Sequence, residues 1–169
     1  MMAEIYNRKY KEDKPVLAIC YDFDKTLSPD DMQEHFVLNK AALRECGPRV
    51  KLFPGVEDWF ERIREYGKGH QVIIEHYIIS SGLKEMIEGT KMAQEGAKNI
   101  LLRIEKGTLE VNDPGVNDYY SPERLRVPFR NMVYIGDSDT DIPCMKLVNT
   151  YGGHSIGVYN SDTEEKQSI

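Results

Sequence analysis

The sequence predicts an α/β fold, a Rossmann-like three-layer sandwich with a mainly parallel central sheet. Two observations carry that prediction. Four short β-compatible apolar runs, Val16–Tyr21, Val72–Ile79, Met132–Ile135 and Ser155–Tyr159, alternate with segments of helical spacing. The first two runs are continuously apolar or nearly so, as expected of strands buried on both faces beneath helices.

Between the first two strands, the sequence predicts a helical stretch around Asp31 to Cys46 and a break at Gly47 and Pro48. A helix then opens at Pro54 and Gly55, with Val56, Trp59, Phe60 and Ile63 on one face, and Gly67 ends it. Leu83 to Ala93 is a further helix candidate after Gly82. Ile142 to Val148 is another, with Pro143 in its first turn and Gly152 beyond its end. "AKNILLRIEKG" suits either a strand or an amphipathic helix, and "NDPGVNDYYSPERLRVPF" is rich in turn residues and reads as irregular. Domain organisation follows: a polar segment over residues 1–14 and a tail over 161–169, both loosely held, flank a single core domain over 15–160.

Composition narrows the functional classes. A formal charge of −6 argues against a nucleic-acid or anionic-membrane surface, each of which asks for a basic face. The longest apolar run is far too short to span a bilayer. Cys20, Cys46 and Cys144 form no CxxC pair and follow no secretory leader, so they read as reduced thiols in a cytoplasmic protein. The four histidines lack metal-ligand spacing, and His76, within a strand, reads as a hydrogen-bonded core residue. Trp59 reads as core packing, whereas Tyr119 and Tyr120 in the irregular segment could line an open site.

The chemistry gathers at strand ends. "CYDFDKTLSPDD" sets Asp22 and Asp24 just past the first strand, on the sheet edge where open α/β folds place their ligands. Asp30 and Asp31 read as the start of the following helix. "IGDSDTD" sets Asp137, Asp139 and Asp141 after the third strand. One acidic cluster alone reads as a solvated loop or a helix cap. Two clusters after two hydrophobic strands point to a shared hard cation, because crowded carboxylates repel unless a cation or proton intervenes. Oxygen-only donors favour Mg²⁺. At the second strand end, "IISSG" offers the Ser80 hydroxyl and the Ser81 amide at a helix start, a place for a phosphate oxygen.

In this order, "DFDKT", "IISSG" and "GDSDTD" resemble motifs one, two and four of the haloacid dehalogenase (HAD) superfamily of phosphohydrolases. The resemblance runs from about Val16 to Tyr159 and includes "LFPGVEDWF". It implies an HAD-like fold and a Mg²⁺-dependent phosphohydrolase, with Asp22 as the nucleophile that forms an aspartyl phosphate and Asp24 as general acid and base. Asp22, the Asp24 carbonyl and Asp137 would hold the metal, with Asp141 acting through water or in support. Ser80 and Ser81 would hold phosphate, and Thr26 would brace the loop. Asp24 also points away from the superfamily's ATPases and true dehalogenases, which lack an acid there.

The chain departs from the superfamily pattern twice. The lysine of the third motif is not marked; Lys98 is the first candidate, followed by Lys84 and Lys106. Only Asp30–Lys51 stand where many members insert a cap, so a vestigial insert is expected at about residues 30–50. This shortening either opens the site to bulky phosphorylated substrates or marks a member with impaired activity. The rival expectation is therefore an impaired relative that binds Mg²⁺ and a phosphorylated ligand or partner. A phosphate-accepting receiver domain is disfavoured because its acceptor would follow a middle strand.

Overall fold

The computed structural model describes residues 13–29, 52–79, 101–108 and 113–159. Its strands are β1 (Val16–Tyr21), β2 (Ile73–Ile78), β3 (Met132–Gly136) and β4 (His154–Gly157). They form one all-parallel sheet in the order β2-β1-β3-β4, giving the expected α/β, Rossmann-like architecture. Two helices have both ends described, α1 (Val56–Gly69) and α2 (Ile142–Thr150), and residues 101–106 are also helical. The ambiguous "AKNILLRIEKG" thus resolves as helix over its described part: Leu101 and Ile104, one turn apart, are fully buried and Leu102 faces outward. The Pro- and Asp-rich segment is irregular as expected, apart from a 3₁₀ turn at Pro114–Asn117 whose first free amide, from Gly115, is capped by Asp113.

Side chains alternate along each strand and divide the core in two. Val16, Ala18 and Cys20 of β1, with Met132 and Tyr134 of β3, pack beneath Leu101, Ile104 and the α2 residues Cys144 and Val148. Leu17, Ile19 and Tyr21, with Val133 and Ile135, pack against Val56, Trp59, Phe60 and Ile63 of α1. Helices therefore cover both faces. The next described helix after β1, α1, lies on one face, and the helix after adjacent β3, α2, lies on the other. Such a divergence opens a crevice at the carboxyl ends of neighbouring strands, the switch point at which open parallel sheets bind ligands. Among the described residues, no helix is long and apolar enough to cross a membrane.

Three local expectations are corrected. β2 is half-buried, with Ile78 exposed, because it stands at one edge of the described sheet and not between two strands. β4 starts at His154 and stops at Gly157, since its ladder with β3 runs from Val133↔His154 to Gly136↔Gly157, where β3 itself ends. Gly67 does not terminate α1, which continues to Gly69. It is instead the buried contact point of the helix: a Cβ there would lie 2.4 Å from Ile74 Cγ1 and 2.9 Å from the Val72 carbonyl oxygen. The reversal falls after it, at Gln71, which takes a left-handed φ of 57°. The predicted helices at Asp31–Cys46 and Leu83–Ala93, the insert at about 30–50, Cys46, and the terminal segments other than Asp13 and Lys14 lie outside the described residues.

Two polar networks cross the layers. On the α2 face, Arg126 makes a bidentate pair with Glu75 of β2 (2.7 and 2.6 Å), and the Tyr77 hydroxyl donates to the same carboxylate at 2.6 Å. The pair is almost wholly removed from solvent, which makes loss of one partner costly. On the α1 face, Trp59 Nε1 donates to the Tyr21 hydroxyl (2.7 Å), which lies 2.9 Å from His76 Nδ1, while His76 Nε2 faces the Phe60 carbonyl at 3.2 Å. With neutral His76 protonated on Nε2, every hydrogen in this chain has an acceptor. Burial, and next the Arg64 guanidinium, hold the imidazole below its ordinary pKa of 6.5, against the bond to Phe60.

Two outcomes follow. Gly67→Ala is expected to lower unfolding free energy by about 1–3 kcal/mol in urea titrations, because helix and strand must separate. The unfolded chain takes up the His76 proton more readily than the folded one. That contribution to stability is therefore complete above pH 6.5 and is lost as pH falls from 6.5 through the lowered folded pKa. His76→Gln should flatten the slope of stability against pH across that window.

Candidate metal centre at the sheet edge

β1 and β3 run in register, Cys20↔Tyr134 and Tyr21↔Ile135, and the ladder continues one step past β1 through Asp22 N–H to the Ile135 carbonyl at 2.8 Å. This fixes Asp22 opposite Gly136, one residue before Asp137. On the other side, Ile79 N–H donates to the Tyr21 carbonyl at 2.7 Å. The Asp22 backbone is therefore set by the sheet before its side chain meets any partner.

Beyond Asp22 the chain curls sharply. The Phe23 carbonyl accepts from the amides of Thr26 (3.3 Å), Leu27 (3.0 Å) and Ser28 (3.2 Å), and Lys25 adopts φ 59°. A left-handed lysine costs on the order of 1 kcal/mol, offset here by three amides gathered on one carbonyl. The Phe53 amide donates to the Leu27 carbonyl at 3.0 Å, anchoring the curl to the entry of α1. Thr26 braces this loop through its backbone; its buried hydroxyl has no hydrogen-bond partner among the described residues.

The loop after β3 folds back over its own strand. The Asp141 side chain lies on Gly136, where a Cβ would stand 2.5 Å from both its Cγ and Oδ2. Oδ1 of Asp141 accepts from the Tyr134 hydroxyl at 2.9 Å, and Oδ2 accepts from the Ser138 amide (3.0 Å) and hydroxyl (2.9 Å). Asp141 is buried at 4% exposure, a setting in which a carboxylate needs such donors.

One oxygen each from Asp22, Asp137 and Asp141 lies within 4.8 Å of the others. Hard divalent cations bind oxygens at about 2.0–2.6 Å, so ligands on opposite sides of one ion span a comparable distance. The Asp22 carboxyl is pushed up to about 7, first by burial, then by Asp141, Asp137 and Asp24, against a hydrogen bond from the Phe23 amide. Burial foremost, and then the Asp141 charge, holds the Tyr134 phenol far above the usual range. A site that disfavours negative charge while collecting carboxylates fits a cation. The Asp24 carboxylate is not one of the three converging groups; Asp24 is half-buried at the curl, in a bridge with Ser28.

Of the other predicted site residues, Ser80, Ser81, Lys98 and Lys84 lie outside the described residues. Lys106 is described and is placed away from the acidic edge. The Glu105 carbonyl accepts from the amides of Arg126 and Val127, in the segment leading to Asn131, whose side chain caps the start of β1 at the Val16 carbonyl. The end of the 101–106 helix thus sits by the amino edge of the sheet, and six residues of β1 put the aspartates roughly 20 Å away. There Lys106 donates to the Asp118 carbonyl (2.7 Å) and lies over the Tyr120 ring. Cys20 faces the core, its thiol pushed up to about 12 by burial, and takes no part in the site.

Sequence reasoning missed Tyr134, Gly136 and Ser138. A signal existed for the first, since a tyrosine in a buried strand needs a partner for its hydroxyl. Gly136→Ala is expected to expel the Asp141 carboxylate, lowering stability by about 1–3 kcal/mol and abolishing Mn²⁺ binding followed by electron paramagnetic resonance. Retained stability and binding would mean that Asp141 had room to move.

Comparisons with known proteins add little chemistry. An uncharacterized protein of Borreliella burgdorferi is 22% identical over 179 residues, covering 78% of this chain. The chain spans 61% of the length of that curated relative. No protein-family profile and no solved structure matches the chain.

Proposed function

We propose that the protein is a Mg²⁺-dependent phosphohydrolase that cleaves phosphate monoesters through an aspartyl phosphate on Asp22. The observation that supports this reading best is the convergence of Asp22, Asp137 and Asp141 at the β1/β3 switch point. The order of motifs resembling the HAD superfamily adds the roles.

In this mechanism an Asp22 oxygen attacks phosphorus, the bond to the ester oxygen breaks, and Asp24 protonates the departing alcohol. Asp24 then takes a proton from water as that water attacks the phosphorus. The Asp22–phosphate bond breaks, inorganic phosphate leaves and Asp22 is restored. The curl at Lys25 carries Asp24 past the strand end, as an acid acting beside a nucleophile two residues earlier requires. A bound Mg²⁺, held by Asp22, Asp137, Asp141 and the Asp24 carbonyl, would neutralise the carboxylates and draw charge from the phosphoryl oxygens. Ser80, Ser81 and Lys98 are the proposed phosphate contacts. Substrates are small phosphate esters or an exposed phosphate on a larger molecule, in the cytoplasm.

A second reading, a relative that binds Mg²⁺ and a phosphorylated ligand without turnover, draws on the placement of Lys106 at the far edge, which removes one candidate for the phosphate-binding lysine. Hydrolysis of an aryl phosphate separates the two. Turnover should require Mg²⁺ and fall by at least about three orders of magnitude in Asp22→Asn. Absence of turnover over a broad panel of phosphate esters, with Mg²⁺ binding intact, would favour the binding protein.

A further inference from the structure

We propose that Tyr134 is a positioning residue of the cation site, its phenol fixing the Asp141 carboxylate and thereby setting how tightly the acidic triad holds a divalent cation. This rests on the reading of Asp22, Asp137 and Asp141 as a cation site. Asp141 is reached by two kinds of donor. Ser138 belongs to the same loop, three residues away, and moves with it. Tyr134 belongs to the central strand β3, is 1% exposed, and packs in the same core cluster as Met132, Cys144 and Val148. Its 2.9 Å bond to Oδ1 therefore ties the loop to the rigid sheet.

The donor count makes that tie consequential. An ionised carboxylate offers about four lone-pair directions. Tyr134 takes one on Oδ1, and the Ser138 amide and hydroxyl take two on Oδ2. What remains can serve a cation in one orientation only, so a carboxylate free to turn would present occupied directions to Asp22 and Asp137. Gly136 limits sideways shifts by lying against Asp141 Cγ, but it supplies no donor that sets rotation. Rotation is set by the three donors together, and of these the two on Ser138 belong to the loop itself, whereas the tyrosine refers the carboxylate to the sheet.

The test is Mn²⁺ titration of the full chain, with free Mn²⁺ read by electron paramagnetic resonance and folding followed by circular dichroism. Tyr134→Phe keeps the ring and removes the donor; it should raise the Mn²⁺ Kd by about 10–100-fold, the usual effect of losing a group that orients a ligand. Val148→Ala, which loosens the same core without touching a carboxylate, should stay within about two-fold of wild type. Ser138→Ala, which leaves the strand anchor in place, should weaken binding less than Tyr134→Phe, and keeps the idea open to refutation from the other side of the carboxylate should Tyr134→Phe not fold, an effect of 10-fold or more then counting against it. The proposal is overturned if Tyr134→Phe binds like wild type, if Val148→Ala weakens binding as much, or if Ser138→Ala weakens it more. Those results leave the cation site standing, whereas wild-type protein that binds no Mn²⁺ overturns the site and the proposal together.

Discussion

The in-register parallel ladder between β1 and β3 is the constraint on which the acidic edge depends. Because Tyr21 pairs with Ile135 and the Asp22 amide still bonds to the Ile135 carbonyl, both strands release their chains at one level. The described helices that follow them lie on opposite faces, α1 on one and α2 on the other. A one-residue slip would turn every side chain of one strand to the wrong layer and set the two acidic loops out of step. The apolar alternation that builds the two cores is thus also what aligns Asp22 with Asp137 and Asp141.

That alignment is electrostatically unfavourable on its own. Asp22 loses water by burial and gains three acidic neighbours, which together raise its pKa to about 7. The fold sustains this through devices aimed at the acidic edge: a left-handed lysine, a glycine against which a carboxylate lies, and a buried phenol and a serine pointed at that carboxylate. Local strain and buried polarity of this kind cluster where function requires them. A divalent cation among the three oxygens would turn the repulsion into attraction.

Much of this was legible in the sequence, for identifiable reasons. β1, β2 and β3 were visible as short, largely apolar runs and β4 through the SIGVY stretch that overlaps it, while Asp22 and Asp137 stand at the ends of such runs and Asp141 lies in the loop that follows the second of these, β3. Strand ends were less legible, since ladder partners decide them: β4 stops where β3 stops. Gly67 read as a helix stop because glycine often marks one, whereas its contact with Ile74 is a tertiary fact. The Arg126–Glu75 pair joins residues 51 positions apart, and neither carries a mark of the other. Lys106 looked eligible for the site, but the contacts of Glu105 with Arg126 and Val127 and its own bond to Asp118 put it by the other edge of the sheet.

The central claim is that three carboxylates at one sheet edge hold a divalent cation. The most direct measurement is anomalous scattering from crystals of the wild-type chain grown with Mn²⁺. The account predicts one strong anomalous peak bonded to oxygens of Asp22, Asp137 and Asp141 at about 2.1–2.3 Å. Saturating Mn²⁺ with no peak among these three residues, or a peak held by other groups while they stand apart, would contradict it.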